Sequence, residues 1–173
     1  TGGLTLIDTD GTGRSIYGSN YGDTIYGMDG NDTLRGYGGN DVLIGGAGTD
    51  TLYGGTGDDT YRFAEGWGDD GITEYVGEGT DTIEFTDLAS TDLRFYTDSY
   101  GKLYIVNASD PTDIITVVAS ASGNATLVGE RIETIVFTDT SWDLTGGLTL
   151  IDTDGTGRSI YGSNYGDTIY GMD

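Results

Sequence analysis

The chain has 173 residues, with 29 acidic against 7 basic side chains, a formal charge of −22, 32 glycines, one proline, and neither histidine nor cysteine. This composition excludes disulfides, thiol catalysis and Ser-His or His-metal chemistry, and so negative a chain does not bind nucleic acid. No apolar run is long enough to cross a bilayer as a helix.

Reading from the amino end, large apolar residues stand nine apart: Ile7, Ile16, Ile25, Leu34, Leu43, Leu52 and Tyr61. Two residues before the last five stand Asp23, Asp32, Asp41, Asp50 and Asp59, and glycines fill the stretch ahead of each. Gly45–Tyr53 shows the unit in full, a nonapeptide of the form G-G-x-G-x-D-x-U-x with U large and apolar. The x-U-x segment predicts a short strand with U inward, and the glycine-rich remainder a tight turn with positive φ. Two nonapeptides make one coil of about 18 residues, which predicts two parallel sheets facing across a thin core. Asp23, Asp41 and Asp59 then share one edge, and Asp32 and Asp50 the other. Coils stack about 4.8 Å apart, so carboxylates on one edge repel unless a cation lies between them. A hard divalent ion that takes six to eight oxygens suits the slot, and calcium is the natural candidate.

These repeats resemble the RTX (repeats-in-toxin) family, over residues 18–62 closely and over Glu65–Thr73 and Val76–Glu84 more loosely. The resemblance implies that each ion takes an aspartate and the second and fourth carbonyls of one turn. The next turn on that edge adds its aspartate and its first and third carbonyls. One expected site uses Tyr37, Gly39 and Asp41 with Gly54, Thr56 and Asp59. A second uses Met28, Gly30 and Asp32 with Gly45, Ala47 and Asp50. A third uses Ser19, Tyr21 and Asp23 with Gly36, Gly38 and Asp41. Two more pair Asp50 with Asp70 and Asp59 with Asp81, for three to five calcium ions in all. Arg14 stands where the first edge aspartate would be, and is expected to close that row with a salt bridge to Asp32. Ser19, Met28 and Tyr37 replace the second glycine, and Tyr21 the fourth.

A glycine-rich, self-repelling chain loses much backbone entropy on ordering. The roll is therefore expected to be disordered without calcium and to fold as the ions bind. Beyond Phe85 the period changes. Alternating runs at Leu93–Tyr96, Leu103–Val106, Ile114–Val118 and Ile132–Phe137 predict strands. The expected fold is all-β: a calcium-loaded parallel β-roll over 1–85, a β-rich continuation and cap over 86–144 closed by Trp142, and a third segment, 145–173. That last segment repeats residues 1–29 without a change, so the unit is 144 residues and 145–173 opens the next copy. It is expected to pack on the preceding cap, the alternative being that it stacks on another molecule and imitates the array.

Tandem duplication points to an extender module of a large secreted or cell-surface protein, adhesin-like, whose partners are calcium ions and neighbouring copies of itself. Millimolar calcium lies outside cells, and the resemblance implies export by a one-step (type I) route. An alternative is the C-terminal folding and export roll of a secreted RTX enzyme or toxin. A ligand- or ice-binding roll would need a regular outward row. Position three instead runs Asn20, Asp29, Gly38, Ala47, Thr56, and position five runs Gly22, Asn31, Asn40, Thr49, Asp58. Outward Tyr17, Tyr26, Tyr53, Tyr161 and Tyr170 read either as a binding ladder or as aromatic cover over a thin roll. No catalytic residue is expected.

Overall fold

A computed structural model describes residues 2–75, 78–97, 102–119 and 132–145; the expectation for 146–173 lies outside them. Among the described residues, fourteen strands are divided between two sheets: β1 (Thr5–Ile7), β2 (Ser15–Tyr17), β3 (Thr24–Asp29), β4 (Thr33–Gly38), β5 (Val42–Ala47), β6 (Thr51–Thr56), β7 (Thr60–Phe63), β8 (Asp69–Glu74), β9 (Thr82–Phe85), β10 (Leu93–Thr97), β11 (Leu103–Asn107), β12 (Ile114–Ala119), β13 (Thr134–Val136) and β14 (Ser141–Asp143). One sheet runs β1-β3-β5-β7-β9-β13-β14 and the other β10-β11-β12-β8-β6-β4-β2. From β1 to β9, odd and even strands fall on opposite sheets because each nonapeptide supplies half a coil. The result is a parallel β-solenoid of about four coils. A single 3-10 turn, Ser90–Asp92, is the helical content of the described residues.

Register follows the apolar period. Ile25 pairs with Leu43 and Leu43 with Tyr61 on one sheet, and Leu34 pairs with Leu52 and Leu52 with Ile72 on the other. All are fully buried, so the core is a double file of single side chains. The first rung departs from the expectation. β1 pairs Leu6, not Ile7, with Ile25, and Ile7 is 55% exposed. The segment joining β1 to β2 carries one residue more than the regular turns, which shifts the inward position by one; in a strand, that reverses the face.

The strands after Phe85 continue both stacks. β12 lies parallel to β8 and β13 parallel to β9, so another half-coil is laid on each sheet. The stacks then turn antiparallel, through β11 and β10 on one sheet and β14 on the other. Phe63, Trp67, Phe85, Phe95, Phe137 and Trp142 fill the wider core there, with successive ring centroids 4.8–6.1 Å apart. At the opposite end β1 and β2 form the edges, and Leu6 and Ile16 are half-buried.

On the outer face, Tyr17 stacks on Tyr37 at 6.2 Å, and the Arg35 guanidinium lies 3.9 Å from the Tyr53 ring centroid. These contacts cover the thin sheet along its strands.

Candidate metal centres

In β3 to β9 the inward apolar residue stands two after an aspartate, so the parallel register that aligns the apolar residues also files the carboxylates along the two edges. On one edge the amide of Asp23 donates to Asp41 Oδ1 (2.6 Å), that of Asp41 to Asp59 Oδ1 (2.8 Å), and that of Asp59 to Asp81 Oδ1 (2.9 Å). On the other, the amide of Asp32 donates to Asp50 Oδ1 (2.7 Å) and that of Asp50 to Asp70 Oδ1 (2.8 Å). All five aspartate pairs named from the sequence are therefore adjacent along the stack.

One oxygen of each carboxylate is satisfied in this way. The other is not: Oδ2 of Asp32, Asp41, Asp50, Asp59 and Asp70 is buried with no hydrogen-bond partner. Each of these residues is 1–2% exposed. Leaving an anionic oxygen dry and unpaired is costly, and natural proteins resolve it with a counter-charge or a metal. Burial drives the aspartates above the ordinary carboxylate range. Asp41 and Asp50 rise to about 6, Asp59 and Asp81 to about 7, and Asp70 to about 8. Desolvation is the leading cause in each, partly offset by the amide each one accepts.

The carbonyls complete a cation-shaped donor set. The Asp32 Oδ2 and the Gly45 carbonyl both crowd the place where a Cβ on Gly27 would stand. Asp41 Oδ2 and the Gly54 carbonyl do so at Gly36, and Asp23 Oδ2 and the Gly36 carbonyl at Gly18 (2.6 and 2.8 Å). Only glycine fits the first turn position because the aspartate of the same turn folds back over it. Carbonyls of Met28, Gly30, Tyr37 and Gly39 point forward along the stack, against Gly46, Gly48, Gly55 and Gly57. Those of Ala47 and Thr56 point back, accepting the amides of Gly30 (2.9 Å) and Gly39 (2.8 Å). Each keeps a second lone pair for a ligand. An all-oxygen set of carboxylates and carbonyls with orphaned buried anions fits calcium.

Met28 (φ 73°) and Tyr37 (φ 78°) take the left-handed conformation despite their side chains. The turn 18–23 does not follow. Neither Ser19 nor Tyr21 has positive φ, and the Ser19 amide donates instead to Asp23 Oδ2 at 2.5 Å. Ser19 and Tyr21 thus stand apart from the other named donors, and Gly38 donates its amide to the Ser19 carbonyl at 3.3 Å.

Arg14 behaves differently from the expectation. Its amide donates to Asp32 Oδ1 (2.6 Å), but its guanidinium turns away to Asp8 (3.4 Å) and Asp10. The extra residue in that connection brings two nearer carboxylates within reach, and Asp32 keeps its free oxygen.

Three carboxylates in the same system escape the nonapeptide spacing. Glu133 stands two before Ile135 and accepts the Asp81 amide at 2.6 Å, as an edge aspartate would. Asp113 stands two before Ile115 and accepts the amides of Gly66 (2.9 Å) and Gly68 (3.0 Å) and the Asn107 side chain (3.2 Å). Both follow the rule of an acid two residues before an inward apolar residue, which could have found them. Glu74 follows no such rule; it replaces a turn glycine, is wholly buried and lies with Asp59 and Asp81, their ligand oxygens within 4.8 Å of one another.

The family described as RTX calcium-binding nonapeptide repeat (4 copies) matches residues 17–52, 26–61 and 36–72. Residues 17–72 are RTX calcium-binding repeats. Among solved structures, the chain is similar to the AlgE6R3 subunit of the Azotobacter vinelandii mannuronan C5-epimerase, with TM-score 0.52, 26% identity, and coverage of 89% of this chain and 94% of that one. The AlgE6R2 subunit of the same epimerase aligns with TM-score 0.49 and 27% identity, over 78% of this chain and 91% of that one. No curated protein matches the sequence. The RTX repeats here thus form a β-roll, and RTX repeats bind calcium.

Proposed function

We propose that this chain is a calcium-dependent structural module, an extender within a large, tandemly repeated secreted or cell-surface protein. One observation carries the reading: two files of buried carboxylates in which Asp32, Asp41, Asp50, Asp59 and Asp70 each have one oxygen bonded to the preceding coil and the other without a partner. The ligand sets are those assigned above, with Asp23, Asp32, Asp41, Asp50, Asp59, Asp70 and Asp81 as the charged members. Bound calcium supplies the positive charge that the edges lack. Because the sites exist only when coils stack, binding free energy becomes folding free energy.

The division of labour follows. Residues 1–85 are the roll, 86–144 its continuation and cap, and 145–173 the opening of the next unit. The exact copy of 1–29 at 145–173 supports an array of such units. Disorder at low calcium suits export of an unfolded chain, and millimolar calcium outside the cell sets the roll. Two consecutive units of 144 residues, studied by small-angle scattering, are expected to form one rod twice as long as a single unit on adding calcium. Two beads joined flexibly would contradict the extender role.

A second reading draws on the similarity to epimerase subunits: the chain as a calcium-folded module attached to a secreted enzyme. Carrying it would require a catalytic domain in the same polypeptide. The roll's own carboxylates are committed to the stack, which supports a non-catalytic role for the segment itself.

A further inference from the structure

The turn from β8 to β9 breaks the repeat at its first position. Gly18, Gly36 and Gly54 hold that place in the preceding turns of the same edge, each closed off by the aspartate of its own turn. Glu74 holds it in the last. The turn has room for a side chain because Asp81 follows seven residues later, whereas Asp59 follows Gly54 by five.

The Glu74 carboxylate reaches inward to the preceding coil. Its Oε1 lies 2.6 Å from the place of a Cβ on Gly54, beside Asp59 Oδ2. The Tyr61 hydroxyl donates to Oε1 and in turn accepts the Gly54 amide at 2.7 Å, which fixes the orientation of the carboxylate. What remains unsatisfied is specific. Glu74 Oε2 and Asp59 Oδ2 are buried without partners, on residues 0% and 1% exposed, and Glu78 Oε2 in the same turn is a third. The charged groups that act on Glu74 are Asp59, Glu78 and Asp81, all acidic. Oxygens bound to one calcium at 2.3–2.6 Å lie up to about 5 Å apart, so the 4.8 Å span of the cluster fits a single ion.

We propose that Asp59, Glu74 and Asp81 form a three-carboxylate calcium site unlike the two-aspartate sites of the regular turns, with Glu74 a side-chain ligand and Tyr61 its positioning residue. The proposal rests on the reading of the roll as calcium-binding. Affinity in oxygen-ligand sites rises with the number of charged ligands. This site therefore fills before the others, and it does so next to the aromatic core where the parallel stack meets its antiparallel end. Folding then starts at that end and proceeds toward β1.

Calcium titration of the full chain against a chromophoric chelator tests this. The wild type is expected to bind one ion at least about tenfold tighter than the rest, and Glu74→Gln to lose that step while keeping the weaker class. An unchanged tight step in Glu74→Gln overturns the assignment and leaves the calcium roll intact; a wild type that binds no calcium removes both. Terbium luminescence gives an independent check whether or not Glu74→Gln folds. The first terbium equivalent on the wild type is expected to be excited through Tyr61, so that Tyr61→Phe loses more than about half of the emission. Full emission in Tyr61→Phe places the first ion elsewhere and overturns the proposal.

Discussion

The aspartates of the roll gain no stability from being ionised in the cation-free state. Those in the unfolded chain titrate near 3.8, whereas burial holds Asp41 and Asp50 at about 6, Asp59 and Asp81 at about 7, and Asp70 at about 8. Between these limits the folded state binds more protons than the unfolded one, so stability falls as pH rises from about 4 to about 8. In chelator, the chain is expected to gain β-structure as the pH is lowered from 8 to 5, followed by far-UV circular dichroism; a loss of β-structure on acidification over that range would contradict the account. With calcium present the dependence of binding has the opposite sense, since protons and ions compete for the same oxygens, and affinity drops on acidification. Glycine placement offers a second check at this scale. Gly36→Ala puts a methyl group against Asp41 Oδ2 and the Gly54 carbonyl (2.6 Å), whereas at Gly71 the nearest atom to an added Cβ is 3.9 Å away. Gly36→Ala is expected to destabilise the calcium-bound roll by about 1–3 kcal/mol and to reduce the number of ions bound. Gly71→Ala should stay within about 0.5 kcal/mol of wild type in the same denaturant titration.

Among the elements, β1 and the aromatic end define where periodicity governs and where it stops. Leu6 faces the core and Ile7 faces out, so Leu6→Ala is expected to cost about 1–2 kcal/mol and Ile7→Ala less than about 0.5, with equal losses contradicting the register. Phe85 touches Phe63, Trp67 and Phe137, and Phe85→Ala is expected to cost about 3–5 kcal/mol in chemical denaturation. The regular coils were legible because one buried side chain and one carboxylate recur at a fixed period, and that alone determines the sheet assignment and the two edges. Counting nine back from Ile16 failed at Ile7 because a single added turn residue is invisible to a period. Glu133 and Asp113 keep the local spacing but stand far from their neighbours in sequence, after β9 and β11. Glu74 was illegible in a stronger sense: its partners, Tyr61 and Asp59, come from the coil before, and only the lengthened turn gives it room.

At the scale of the whole molecule, charge and architecture set the same requirement. The sequence carries −22, much of it filed along two edges on which five aspartates keep an inner oxygen without a partner in the protein. Five calcium ions would bring ten positive charges to those edges, offsetting nearly half of the total. The core is too thin to hold such edges together alone, since each coil buries one side chain per sheet until the aromatic cluster is reached. The proposed function makes calcium the counterpart of the roll rather than an accessory to it. The most direct test is a calcium titration of the purified chain that follows far-UV circular dichroism and radius of gyration together, with magnesium as control. The account predicts a cooperative, calcium-specific collapse from an expanded coil to a compact β-structure. A compact β-fold already present in chelator at neutral pH would contradict it.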